Sequence, residues 1–221
     1  MRILALAALT AFVALPAAGE TLYQAPQGCK PVATLRLPSC LVKQVATCSS
    51  GNIVDHFKDS SFLGRAYYDH PSLFIRFDGV DGRTTRHIYG ESAPRQGVNL
   101  SPGDNYTYTR DVERTEGQAE PGDTGTEVMK VGDKLTLTLD TKRFEVLDIH
   151  FTVTNPETGY DYRERALMLT DPMISIGAIG ATYNADGSVV SGYDGMPESI
   201  SLEGQPGFRS QNPASSCHVS S

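Results

Sequence analysis

Apolar and polar residues alternate one by one along most of this chain, which is the pattern of strands with one buried face. Residues 134–140 (KLTLTLD) are the cleanest case, with Leu135, Leu137 and Leu139 on one side and Thr136 and Thr138 on the other. Residues 143–154 extend the pattern. Leu147, Ile149, Phe151 and Val153 share one side, and Asp148, His150, Thr152 and Thr154 share the other. In residues 72–78 (SLFIRFD), Leu73, Ile75 and Phe77 fall together. These ten apolar residues are predicted to be buried as one group. Further strands are predicted over 83–89, 160–169, 173–183 and 188–191, with a last edge strand over 197–202. Asp81-Gly82, residues 155–159 (NPETG) and residues 184–187 (NADG) supply turns. Residues 91–104 read as an irregular connection, and the polar stretch 114–125 as a long hairpin loop. Helical periodicity is nearly absent. Residues 55–68 have room for a short helix, against which Ser60-Ser61 and Gly64 argue.

Successive strands joined by short turns are antiparallel neighbours. The predicted fold class is therefore all-β: a strongly curved antiparallel sheet, an open half-barrel or barrel-like, with long loops. A sandwich is the alternative. One-sided alternation implies that the second face is solvated or covered by something small.

The first nineteen residues depart from the pattern. Arg2 precedes an apolar run from Ile3 to Leu15, Pro16 breaks it, and Ala17-Ala18-Gly19 presents small residues at a cleavage site. This is a secretory signal peptide over residues 1–19, cut before Glu20. The run is too short for a bilayer span, which takes about 20 residues. Residues 20–221 then form a single β domain, periplasmic or secreted after cleavage. Without Arg2 the chain carries 18 basic against 26 acidic residues, a net charge of −8. No basic run exists, so nucleic acid is not an expected partner.

An even number of cysteines in an exported chain implies disulfides. The four are Cys29, Cys40, Cys48 and Cys217. Residues 41–47 (LVKQVAT) look like a strand, so Cys40 and Cys48 lie about 26 Å apart, beyond the ~7 Å reach of a disulfide. A two-residue turn at Pro38-Ser39 would set Cys29 opposite Cys48. The preferred pairing is Cys29–Cys48 and Cys40–Cys217, the second tethering a loop-like C-terminal tail over 204–221.

Candidate chemistry is sparse. His56, His70, His87, His150 and His218 show no metal-ligand spacing and read as surface histidines. No G-x-S-x-G elbow marks a nucleophile, and the Asp-Gly pairs fit turns better than calcium loops. No catalytic residue, metal ligand or cofactor is expected. Of ten tyrosines, Tyr106 and Tyr108 share one strand face and Tyr160 and Tyr162 another. Such pairs either line a ligand groove or form the wet edge of a core.

Three sets of residues carry a resemblance: Cys29, Cys40 and Cys48 in C-x10-C-x7-C; Asn105-Tyr-Thr-Tyr-Thr with residues 132–137 (GDKLTL); and residues 194–200 (DGMPESI) with residues 203–208 (EGQPGF) and Cys217. On these the chain resembles a set of uncharacterised exported proteins of Gram-negative bacteria. The resemblance implies a periplasmic compartment and an all-β shape, and no activity. The expected role is thus non-enzymatic: an apolar ligand or a partner's segment held on a curved sheet. The alternative is a structural or interaction component of the cell envelope with a packed interior. Cavity size separates them, since a carrier needs about 300 Å³ or more.

Overall fold

The computed structural model describes residues 22–116, 123–213 and 217; the signal segment and His218 lie outside these residues. Among them there is no helix. The strands are β1 (Cys29–Arg36), β2 (Leu41–Cys48), β3 (Gly51–Lys58), β4 (Ser61–His70), β5 (Leu73–Gly79), β6 (Thr84–Tyr89), β7 (Asn105–Arg114), β8 (Gly125–Leu139), β9 (Lys142–Asn155), β10 (Tyr160–Thr170), β11 (Met173–Tyr183), β12 (Val189–Asp194) and β13 (Ser199–Leu202). Strands β1 to β12 form an antiparallel meander, and β13 returns to pair with β1. The single sheet is not closed, and β12 and β13 are its edges.

Its curl is read from which strands share a core. Ala33, Leu35, Val45, Val54 and Ala66 of β1–β4 pack with Phe144 and Val146 of β9, Leu167 and Leu169 of β10, and Ile174 and Ile176 of β11. Strands at least five places apart in the sheet thus meet face to face. A second cluster joins Leu73, Tyr108, Met129, Val131, Leu147, Ile149, Phe151, Ala166 and Met168 with Ala93 and Leu100 of the β6–β7 connection. Val146 belongs to the first cluster and Leu147 to the second, so both faces of β9 are covered there.

Bulges correct two predicted faces. The β8–β9 register shifts between Val131 and Lys134, and an extra residue turns every later side chain over. Leu137 and Leu139 are therefore half-buried against the first cluster, and Leu135 is 37% exposed. In β5 the register skips Ile75. Leu73 joins the second cluster and Phe77 packs on the first. The ten residues are not one group. Residues 55–68 form no helix: Asp59 and Ser60, at φ 50° and 61°, make a two-residue turn between β3 and β4.

The disulfides are Cys29–Cys48 and Cys40–Cys217, but the predicted hairpin turn is wrong. The loop holds three residues. Leu37 N–H donates to Leu41 O at 2.9 Å, and Cys40 sits at φ 61°, the left-handed residue such a loop requires. A bulge at Val32 then restores the register that sets Cys29 opposite Cys48.

The described residues just before β1 and just after β13 cover the outer face of β1–β4. Tyr23 packs with Val42 and Phe57. Gln44, fully buried, accepts from Thr34 Oγ1 at 2.8 Å and donates to Ser210 O at 2.6 Å. Arg36 donates to Gly207 O at 2.8 Å and Asn212 O at 3.0 Å. Residues 204–212 are thus docked, not loose behind a tether. His70 is also not a surface histidine: it is fully buried and bonds Ser72 Oγ and Val98 O, fastening the β6–β7 connection.

Candidate functional site

The curl leaves a cavity of about 490 Å³, lined by residues of β1 through β12. Strand alternation explains its lining. On β10, Tyr160, Tyr162, Glu164, Ala166 and Met168 share the inward face; the first four reach the cavity and Met168 lies in the second cluster. On β7, Arg110, Val112 and Arg114 do the same.

One wall is a ladder of rings across three strands. Tyr68 of β4 meets Phe74 of β5 edge-on at 5.8 Å, Phe74 meets His87 of β6 at 4.8 Å, and His87 meets Tyr89 at 6.0 Å. Tyr89 continues to Tyr108 of β7 at 5.6 Å. Edge-to-face contacts of this kind add to area burial. Tyr89 also donates to Phe74 O at 2.8 Å, which fixes its ring. Facing it, Tyr162 of β10 and Tyr193 of β12 both donate to the Glu164 carboxylate.

Charged groups sit among the rings. Arg110 and Glu127, 13% and 5% exposed, form an ion pair at 3.4 Å, and Glu127 accepts from Tyr108 OH at 3.0 Å. Arg114 pairs with Asp123. Burial raises the Glu127 carboxyl, against the pull of Arg110. Burial pushes the Tyr68 hydroxyl up to about 12 and the Tyr89, Tyr162 and Tyr193 hydroxyls up as well, with Glu164 adding to each. These tyrosines are protonated donors at neutral pH. His87 is held down to about 3 by burial, then by Arg110 and Arg114, and is neutral. Lys43 of β2 reaches the cavity, and its ammonium is lowered by burial. Beside it on β3, His56 is held down to about 3 by burial and by Lys43.

Of the tyrosines singled out in the sequence, Tyr160 and Tyr162 line this cavity. Tyr108 is buried behind it against Glu127, and Tyr106 is half-buried against the second cluster. The charged lining was missed because alternating Arg110, Arg114, Glu127 and Glu164 look like a solvated face. The available signal was Tyr160-x-Tyr162-x-Glu164-x-Ala166, a side that turns apolar along its length. A second, apolar cavity of about 300 Å³ lies among Leu135, Leu137, Val146, Leu167, Ile179 and Met196.

Among the described residues no His, Cys, Asp and Glu group has metal-binding geometry, and no helix is long and apolar enough to cross a membrane. No protein-family model, curated protein or solved structure matches the chain. The two disulfides point to an oxidising, extracytoplasmic environment.

Proposed function

We propose that this chain is a non-enzymatic periplasmic protein, exported by its N-terminal signal, that holds a small molecule inside the curled sheet. One observation carries the reading: beside its packed layers the concave interior keeps a cavity of about 490 Å³, within the range of about 300–1,000 Å³ typical of ligand sites. The lining narrows the ligand. Rings alternate with paired charges and tyrosine hydroxyls, so the bound molecule has polar groups as well as an apolar body. The resemblance to exported proteins of Gram-negative bacteria supports the compartment and adds no activity. Native mass spectrometry of the protein purified from the periplasm tests the reading. A reproducible small-molecule adduct, lost on mild unfolding, is expected; adduct-free spectra under the gentlest conditions would sink it.

A second reading has its own observation. Edge strand β12 leaves one side unpaired, with Val189 and Val190 exposed at 64% and 56%. Such an edge can accept a partner's strand by main-chain hydrogen bonds. Under that reading an envelope protein co-purifies with the chain, and Val190→Lys abolishes the association without changing any small-molecule adduct.

A further inference from the structure

Resting on the small-molecule reading, the arrangement of donors and acceptors names the class of ligand. Arg110 has Glu127 and Arg114 has Asp123. Glu164 receives the Tyr162 and Tyr193 hydroxyls, and Glu127 also receives that of Tyr108. Lys43 is the exception among the cavity's charges. Its ammonium makes no hydrogen bond or ion pair with any described residue and feels Glu164 only as a more distant charge. Its neighbours on the same face are Leu35 and His56. His56 Nε2 is itself buried without a partner.

This corner holds a cation with three N–H donors and no acceptor. These donors face the cavity without a protein acceptor, and an acid group supplies the missing acceptor oxygens. The rest of the lining suits a flat body: the ladder Tyr68, Phe74, His87 and Tyr89 stands on one side, and Tyr160, Tyr162 and Tyr193 on the other. We infer that the cavity takes a planar organic anion, its rings between these two walls and its acid group on the Lys43 ammonium. Arg110 and Arg114 do not compete for that group, because their own carboxylates already hold them.

The test uses the disulfide-bonded chain and three matched probes at neutral pH: 2-naphthoate, 2-naphthamide and 2-naphthylmethylammonium, each titrated by calorimetry. Naphthoate should bind at least about tenfold more tightly than the amide, since hydrogen bonds to a charged group are worth ~1.5–3 kcal/mol. The cation should bind most weakly. Lys43→Met should remove the preference for naphthoate and leave amide binding within about twofold. This variant is expected to fold, because half-buried Lys43 makes no hydrogen bond or ion pair whose loss would strand a partner, and its melting temperature checks that. Lys43→Arg should keep the preference. Equal binding of all three probes, a preference for the cation, or an unchanged naphthoate advantage in Lys43→Met would each overturn the inference. A native adduct without probe binding would overturn the ligand class and leave the binding reading standing. Absence of both would end both.

Discussion

Asp55 offers a direct test of how the N-terminal segment is sealed onto the sheet. Its carboxylate is 2% exposed. It accepts from Arg65 Nε at 2.5 Å and Arg65 Nη2 at 2.8 Å, and Tyr23 OH donates to it at 2.9 Å. Asp55→Ala removes the acceptor for three donors at once. Removing one partner of a buried ion pair costs about 3–5 kcal/mol. The Arg65 side chain is 29% exposed and can turn to water, which pulls the cost toward the lower end. The Tyr23 hydroxyl cannot, because that residue is 2% exposed and packed edge-on against Phe57. A stranded buried hydroxyl adds ~1–3 kcal/mol. A loss of about 4–6 kcal/mol results, a large part of the ~5–15 kcal/mol a domain commands. Tyr23→Phe should cost only about 1.5 kcal/mol, because Arg65 still satisfies the carboxylate. The double variant should lose about 1 kcal/mol less than the sum, since the stranded hydroxyl is gone. Urea unfolding at pH 7 with an unchanged m-value reads all three. A loss below about 1 kcal/mol for Asp55→Ala, or strict additivity, would mean that Tyr23 and Arg65 do not share this carboxylate.

The corrected faces of β8 and β9 separate two truncations: Ile149→Ala, at a fully buried site, should cost about 2–5 kcal/mol, and Leu135→Ala less than about 1 kcal/mol; similar losses in urea melts would restore the single-face assignment. Replacing Cys40 and Cys217 by Ala should leave residues 204–212 docked by Arg36, Gln44 and Arg209, so limited proteolysis should spare residues 204–212, and early cuts at Gly204 or Gly207 would contradict the docking. Burial holds His56 and His87 down to about 3 from an ordinary 6.5, so between these values the unfolded chain binds protons that the folded chain refuses. Stability should be full above about pH 6.5 and fall toward pH 3 by ~1.4 kcal/mol per pH unit for each histidine; His87→Phe should flatten that slope, and an unchanged profile of urea midpoints would discount the burial of His87.

Most strands were legible because alternation is a local signal. Residues 134–140, 143–154 and 173–183 announce themselves without knowledge of their partners. Bulges are not local. Nothing in residues 130–136 says that the ladder slips between Val131 and Lys134, so the strand was found and its face was not. The first hairpin shows the reverse. A wrong two-residue turn still predicted Cys29 opposite Cys48, because the third loop residue is offset by the bulge at Val32. The cavity was the least legible part. Inward-facing Arg110, Glu127 and Glu164 carry the same alternation as a solvated face, and only the closure of a meander, with β4–β7 set across from β10–β12, gives them an inside to line.

That inside is divided at one level across neighbouring strands. In register, Glu127 of β8 pairs with Val153 of β9, which pairs with Tyr162 of β10; one step on, Met129, Phe151 and Glu164 align, and then Val131, Ile149 and Ala166. Past that level the interior is dry: Met129, Leu147, Ile149 and Met168 are at most 1% exposed. On the other side of it the same strands present Glu127, Tyr162 and Tyr160 to the cavity. A sheet selected only for stability has no use for this change, since a well-packed apolar substitute for a buried ion pair is commonly neutral or stabilising. Replacing the dry layer should therefore unfold the protein. Glu164→Gln, by contrast, keeps the shape and the tyrosine contacts and should leave stability nearly intact while altering what the cavity holds.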